Sequence, residues 1–401
     1  MKVGWEMKRL GEVCEFQRGL TYAKVDEVDV SENIVLRATN INLATNLLDL
    51  SELKYISDNV VVPISKKVKK HSLMICTASG SKSHLGKVAY IDGDYDYAFG
   101  GFMGMITPKS SLVSRYLFHL MTSYAYKDFI GELSDGANIN NLKFDDLRNF
   151  QIPVPPHPEQ QRIVAVLDET FAAITIARAN AERNLKNARE LFESYLNDVF
   201  VQRGDGWVDS TIGQSIHFID YRGKTPTKIE SGIRLITAKN VKMGFIQETP
   251  MEFVAPESYD GWMTRGIPKI GDVLFTTEAP LANVAQLDTD DKVVFAQRII
   301  IMQPDVSTLD STFLKYLLLS QSVQQLIHEK GTGATVKGIK ASLLKTVEIS
   351  FPLLADQQRI VAKLDALRAE TQRLEAISRQ KLNALDELKR SMLHQAFMGE
   401  L

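Results

Sequence analysis

The run QQRIVAVLD beginning at Gln160 returns as QQRIVAKLD beginning at Gln357, 197 positions later in a chain of 401 residues. The match extends from there in both directions without a gap. Gly136-Ala137 falls on Gly333-Ala334, Leu142 on Ile339, Leu147 on Leu344 and Pro155 on Pro352; downstream, Leu191 falls on Leu388 and Tyr195 on Met392. A short motif used twice would not hold register so far. Periods of about 20–50 residues mark solenoids, whereas a period of half the chain marks two complete units. The duplication therefore predicts one fold built twice.

Each copy opens with short apolar or alternating runs bounded by Gly, Asp, Asn and Pro, which read as strands. These are IVLRAT, KVAYI and GFMGMIT in the first copy, and GIRLIT, GDVLFTT and VVFAQRIIIM in the second. SRYLFHLMTSYAYKDFI and STFLKYLLLSQSVQQLI follow with helical spacing, then the loops SDGANINN and GTGATVKG, then a strand ending in proline. Each copy is α+β in character. From Glu159 to about Phe200, and again from Asp356 to about Met398, Gly and Pro vanish and apolar residues recur three and four apart. That pattern predicts two helices of about 40 residues, each roughly 60 Å long. Pro158 and Asp356 suit their first turns.

An apolar stripe of that length needs a partner, and the other copy supplies it. The expected core of the helix pair is Leu167, Ile174, Leu191 and Tyr195, with Ala177, Ala181 and Ala188 on the same seam, against Leu364, Leu367, Leu374, Leu385, Leu388 and Met392. Thr371, Ser378 and Lys381 interrupt the second seam. The predicted fold is two similar β-rich domains, 1–155 and 201–353, separated by two long helices, 156–200 and 354–401. The helices form an antiparallel coiled coil about a pseudo-two-fold axis. Two helices folded back as core elements of their own domains is the alternative.

Cys14 and Cys76 are the only cysteines, and neither has metal-ligand company. No apolar run reaches the ~18–20 residues of a membrane span, MKVGWEMKRL is not read as a signal peptide, and the cytoplasm is the expected compartment. Net charge is −2, with Lys66, Lys67, Lys69 and Lys70 the main basic cluster. Duplex binders usually carry a basic surplus, so a chain like this is expected to hold DNA weakly alone and to borrow positive charge from partners. Catalytic signatures are missing: there is no GxxxxGK[ST] loop, no GxSxG elbow, no HExxH pair and no Asn-Pro-Pro-aromatic run. FGGFMG from Phe99 lacks nucleotide-loop spacing and reads as a tight turn or close backbone packing.

Two β-rich domains alternating with two similar helices, each introduced by a proline and an Glu/Asp-Gln-Gln-Arg-Ile-Val run, resemble the DNA-specificity subunits of type I restriction–modification systems. The likeness covers the whole chain. Leu10-Gly11-Glu12-Val13 recurs as Ile212-Gly213-Gln214-Ser215, after Trp5 and Trp207, and Arg37-Ala38-Thr39-Asn40-Ile41 recurs as Thr237-Ala238-Lys239-Asn240-Val241. The resemblance implies that each globular unit is a target-recognition domain reading one half of a bipartite, asymmetric double-stranded DNA sequence. It implies that the helices dock two methyltransferase (modification) subunits, and that a separate restriction/translocase subunit adds cleavage. S-adenosylmethionine and ATP would belong to those partners, leaving this chain with no cofactor, no metal and no catalysis.

Base edges and phosphates are read by Arg, Lys, Asn, Gln and hydroxyl side chains. In the first unit the polar loop TASGSKSHLGK supplies Thr77, Ser79, Ser81, Lys82, Ser83, His84 and Lys87; its counterpart TTEAPLANV supplies Thr276, Thr277, Glu278 and Asn283. An ordinary surface loop would have the same composition. Further candidates are Arg37, Thr39 and Asn40 against Lys239 and Asn240, and Arg18 and Tyr22 compared loosely with Tyr221, Arg222 and Lys224. Gln297 and Arg298 are added because the gapless register puts Gly100 and Gly101 in their place. Two other readings stay open: a self-contained DNA-modifying enzyme, which would need a cofactor loop, and a coiled-coil scaffold with no DNA role.

Overall fold

A computed structural model describes residues 4–79, 84–135, 141–221, 226–333 and 336–401. Two helices of 45 residues each, His157–Val201 and Leu354–Met398, carry the predicted Gly- and Pro-free segments. Contacts group the chain into two units. The first is Met1–Ala181 with Gln380–Leu401, and the second is Glu182–Arg379, so each holds one globular portion and part of both long helices.

In the first unit a four-stranded antiparallel sheet runs in the order Cys14–Arg18, Met103–Pro108, Leu73–Cys76, Val88–Tyr90. A second sheet orders Glu27–Val28, Lys54–Ile56, Asn33–Leu36 and Ala98–Phe99, its last pair parallel. The second unit repeats the scheme: Ile216–Asp220, Ile299–Pro304, Val273–Thr276, Val284–Gln286 in one sheet, Glu252–Val254, Ile233–Ile236, Val293–Phe295 in the other. Its last pair is again parallel. The first and last strands of each globular portion, Glu6–Arg9 with Gln151–Val154 and Val208–Thr211 with Glu348–Phe351, pair antiparallel and bring the chain back to where each long helix begins. Leu73–Cys76 and Val273–Thr276 are buried at every position, the first as an unbroken apolar run and the second with its closing Thr276 hydroxyl bonded to the Pro280 carbonyl.

The repeated Gln-Gln-Arg run has a structural cause. Gln160 is fully buried; its Oε1 accepts from the Val113 N–H at 2.7 Å, while its Nε2 donates to the carbonyls of Ser111 at 3.0 Å and Pro155 at 2.9 Å. Gln357 does the same with the Asp310 N–H (2.8 Å) and the carbonyls of Thr308 (2.8 Å) and Pro352 (2.8 Å). A single amide thus ties the strand end, the start of the long helix and the entry to the helix at Ser114 or Ser311. The Leu-Gly-Glu-Val and Ile-Gly-Gln-Ser runs are short helices whose glycines admit a neighbour: a Cβ on Gly11 would lie 2.9 Å from the Arg148 Cβ, and one on Gly213 2.8 Å from the Lys345 Cβ.

Within each unit the long helices pack antiparallel. Arg162 donates to the Leu401 carbonyl and Arg178 pairs with Asp386 in the first unit; in the second, Arg189 meets Glu375 at 3.1 Å and the Arg368 guanidinium covers the Phe192 ring. Leu167, Ile174 and Leu364 are buried as expected, and Tyr195, Leu367, Leu385 and Met392 are half-buried. Leu191, Leu374 and Leu388 are exposed, which corrects the predicted seam. The buried stripe runs through Ala181 and Ala188 to Leu196 and Phe200, and through Thr371 and Ser378 to Leu393 and Ala396. At about 100° per residue, Leu191 stands some 60° off the line through Ala188. The two hydroxyls read as interruptions sit inside the stripe, donating to their own helix: Thr371 Oγ1 to the Arg368 carbonyl (3.1 Å) and Ser378 Oγ to that of Leu374 (2.9 Å).

The amphipathic stretch after the last sheet strand is two helices rather than one in each unit, Ser114–Met121 with Tyr124–Asp135, and Ser311–Leu319 with Gln321–Lys330. The break falls on hydroxyl residues that bond local carbonyls: Thr122 to His119 (3.0 Å) and Ser320 to Leu317 (2.6 Å). Behind the first break, the first long helix is latched by Asp168, which accepts from Arg115 and from His119 Nε2 at 2.8 Å. Burial would raise the Asp168 carboxyl, but the hydrogen bonds from His119 and Arg115 outweigh it and hold the group down at about 2. His119 is pulled below the usual imidazole range by burial, and its Nδ1 has no partner to receive a second proton.

Candidate nucleic-acid interface

The same backbone knot occurs in both units. In the first, Thr77 donates through N (2.9 Å) and Oγ1 (3.0 Å) to the Phe102 carbonyl, Met103 N to the Gly100 carbonyl (2.8 Å), and Leu142 N to the Thr77 carbonyl (2.6 Å). In the second, Thr277 donates through N (2.9 Å) and Oγ1 (3.3 Å) to the Arg298 carbonyl, Ile299 N to that of Ala296 (3.3 Å), and Ile339 N to that of Thr277 (2.9 Å). These bonds correct the register. Gly101 corresponds to Gln297 and Phe102 to Arg298, so the offset here is 196, because insertions separate the copies upstream of the gapless region. FGGFM is the tight turn expected of it: a Cβ on Gly19 would come 1.9 Å from the Gly100 carbonyl oxygen.

Beside each knot lies a surface cleft. The first, of about 390 Å³, is lined by Arg18, Ala78, Phe102, Asn141, Lys143 and Phe144 among others. The second, of about 380 Å³, is lined by Glu278, Gln297, Thr332, Val336 and Lys340 around the equivalent threonine, Thr277. The frame is shared, and so is an exposed lysine at 143 and 340, but the chemistry of three other positions is not. Ala78 stands where the second unit has Glu278, Asn141 where it has Gly338, and Phe102 where it has Arg298. Phe102 is 73% exposed, a large apolar side chain held open to solvent. Arg298 instead meets Glu278 at 2.9 Å, both side chains 46% exposed. Phe102 also walls a second hollow of about 530 Å³, which brings together Tyr22, Lys24, Glu27, Arg37 and Thr39.

Of the residues singled out from sequence, Arg18, Tyr22, Arg37 and Thr39 converge around Phe102, and Glu278, Gln297 and Arg298 around the second cleft. Lys239 is exposed and lines neither; Ser79 and His84 are half-buried beside the first knot. Several others are frame and not surface, which corrects their reading as DNA contacts. Asn40 is buried, its amide donating to the carbonyls of Asp49 (2.9 Å) and Glu52 (2.8 Å) and accepting from Arg37 N (2.8 Å). Asn240 is buried likewise, bonded to Thr237 and to the carbonyls of Gln247 and Pro250. Thr77 and Thr277 spend their hydroxyls on the knot, and buried Thr276 donates to Pro280 (2.6 Å).

Tyr221 is a core residue whose hydroxyl donates to the Gly266 carbonyl (2.5 Å), and Asn283 donates to that of Val241 (2.8 Å). Lys87 is largely buried, and that burial draws its ammonium below the usual lysine range. By strand register Arg18 corresponds to Asp220, and not to Tyr221. Ser81, Lys82, Ser83, Arg222 and Lys224 lie outside the described residues. Sequence reasoning missed Phe102, Asn141, Lys143, Thr332 and Lys340; aligning the copies strand by strand would have found the first.

Among the described residues no group of three or more His, Cys, Asp or Glu side chains could hold a metal ion, and no helix is long and apolar enough to cross a membrane. Burial pushes the Cys14 thiol up to about 12, so it is no nucleophile at neutral pH.

The profile of the type I restriction modification DNA specificity domain matches residues 2–186 and 264–384, more than half of the chain. The EcoKI type I restriction enzyme specificity subunit of Escherichia coli (strain K12) is 24% identical over 99% of this chain and 89% of its own length. Among solved structures, a chain from work on complex assembly and conformational transition of the type I R-M system superposes with a TM-score of 0.77 at 20% identity, covering 100% of this chain and 99% of that one. The HsdS subunit from Thermoanaerobacter tengcongensis gives a TM-score of 0.62, also at 20% identity, over 100% of this chain and 98% of its own. These last two likenesses speak to the fold. With its profile match spread over both repeats, the chain belongs to the type I restriction modification DNA specificity family.

Proposed function

We propose that each globular unit reads one half of a bipartite, asymmetric duplex sequence, and that the chain delivers this reading to methyltransferase subunits without catalysing anything itself. The observation that carries the proposal is the pair of clefts: one backbone frame, presented twice with a lysine common to both at 143 and 340, whose side chains differ at Ala78/Glu278, Phe102/Arg298 and Asn141/Gly338. Two identical readers would call for a palindrome, as two-fold symmetric DNA binders do; two that differ call for dissimilar half-sites. S-adenosylmethionine for adenine methylation, and ATP for translocation and cleavage, belong to the partner subunits in this reading, and the complex works in the cytoplasm. Leu191 and Leu388 occupy equivalent positions on the two long helices and both are exposed, 52% and 45%. Such a repeated apolar residue suits two identical partners docking on equivalent helix faces.

Co-expression of the full chain with its methyltransferase subunit, followed by mapping of methylated adenines across the host genome, tests this directly. The expected result is one motif with two unlike halves around a fixed gap. A palindromic motif, or none, refutes it. Binding of S-adenosylmethionine by the purified chain alone would instead support a self-contained modifying enzyme.

A further inference from the structure

The two units differ at two facing positions at once, beside their clefts. Where the second unit places Arg298 against Glu278, the first places Phe102 and Ala78, an ion pair exchanged for an apolar pair on one backbone. We propose that Arg298 reads a guanine in one half-site, and that Phe102 meets a thymine methyl in the other; this rests on the DNA-reading function above. Arginine addresses guanine O6 and N7 through its planar fork, while apolar side chains distinguish thymine by its methyl group.

Glu278 decides between base and phosphate for Arg298. Its carboxylate lies 2.9 Å from Nε and would repel a phosphate brought to the same guanidinium, whereas an uncharged base edge meets no such penalty. The approach is at Nε, so Glu278 serves as the positioning residue for a guanidinium whose planar fork is the group that pairs with guanine. Gln297, half-buried beside Arg298, adds a further donor and acceptor to the same cleft. In the first unit the glycines at 100 and 101 leave Phe102 standing proud of a surface with no charged neighbour at position 78. A phenylalanine so placed has no bonding role at a phosphate and a clear one against a methyl group.

The test uses the full chain in complex with its methyltransferase subunit, with methylated motifs mapped for wild type, Arg298→Ala, Arg298→Lys, Glu278→Gln and Phe102→Ala. Both Arg298 variants should relax a single position, a G·C pair in the wild-type motif, with discrimination there falling about tenfold or more and the other half-site unchanged. Phe102→Ala should relax one A·T position in the opposite half. Glu278→Gln should loosen the same position as Arg298→Lys, by less. A uniform fall in methylation with the motif intact would assign Arg298 to a phosphate and overturn the proposal, as would relaxation at an A·T pair or no change. Arg298→Lys keeps the charge and an exposed, unbranched side chain, so it decides the matter should the alanine variant fail to assemble. A wild-type complex with no bipartite motif would overturn the underlying function instead.

Discussion

Replacing Gln160 with alanine should unlatch the first unit at the base of its long helix. The side chain is fully buried and makes three hydrogen bonds of 2.7, 3.0 and 2.9 Å, so truncation strands the Val113 N–H and the carbonyls of Ser111 and Pro155. A buried group left unpaired costs about 1–3 kcal/mol. Partial access of water to the new space moderates the sum, and about 3 kcal/mol is the expected loss. For a unit of roughly 200 residues that lowers the unfolding midpoint by about 6–12 °C. Hydrogen exchange read by mass spectrometry localises the effect: the peptide holding the Val113 amide should lose protection, while that holding the Asp310 amide keeps it. Gln357→Ala should give the mirror result, and Gln161→Ala, at an exposed position, should stay within about 0.5 kcal/mol of wild type. If Gln160→Ala and Gln161→Ala were equally mild, the latch would be incidental and the repetition of the motif would need another cause.

Acid should act on the same unit through Asp168. Its carboxyl is depressed from 3.8 to about 2, so it contributes stability fully present above about pH 4 and lost as pH falls towards 2. With the side chain 36% exposed, that contribution is about 1 kcal/mol after screening. Asp168→Asn should therefore destabilise at pH 7 and match wild type near pH 2, in chemical unfolding followed by circular dichroism. His119 adds a loss beginning near pH 6.5, since the unfolded imidazole takes up a proton that the buried one resists; His119→Gln should flatten the stability profile just below that pH. Gly213→Ala must displace Lys345, whose Cβ would lie 2.8 Å and whose carbonyl oxygen 3.0 Å from the new methyl, and should cost about 1–3 kcal/mol by thermal unfolding. Four residues inserted in the first long helix near Ala181, about one turn or 5.4 Å, should alter the gap of the methylated motif while sparing both half-sites. An unaltered gap would refute the helices as its measure.

The duplication, the α+β character and the two long helices were legible because each leaves a long-range signal: register, strand-length apolar runs, and some 40 residues without Gly or Pro. The site was less so. Asn40 and Asn240, like Thr77 and Thr277, look like readers because they are polar and repeated, yet repetition is the mark of frame: a residue identical in both units cannot tell two half-sites apart. The residues with the strongest claim are those that differ, and Phe102 was hidden by a one-residue error in register. Insertions between strands, invisible to a gapless alignment, moved it. The exposed Leu191 and Leu388 were misplaced for a related reason. A heptad written on paper does not reveal where a helix leaves its partner helix for a globular core, and the buried stripe turns at that point to Leu196 and Phe200 in one and to Leu393 and Ala396 in the other.

The knot grips residues 102 and 298 by their carbonyl oxygens alone. Main-chain atoms are common to every amino acid, so the fold is indifferent to what projects from those two points. Mutation there can rewrite the cleft at almost no cost in folding, and a lineage can try new targets without first repairing its scaffold.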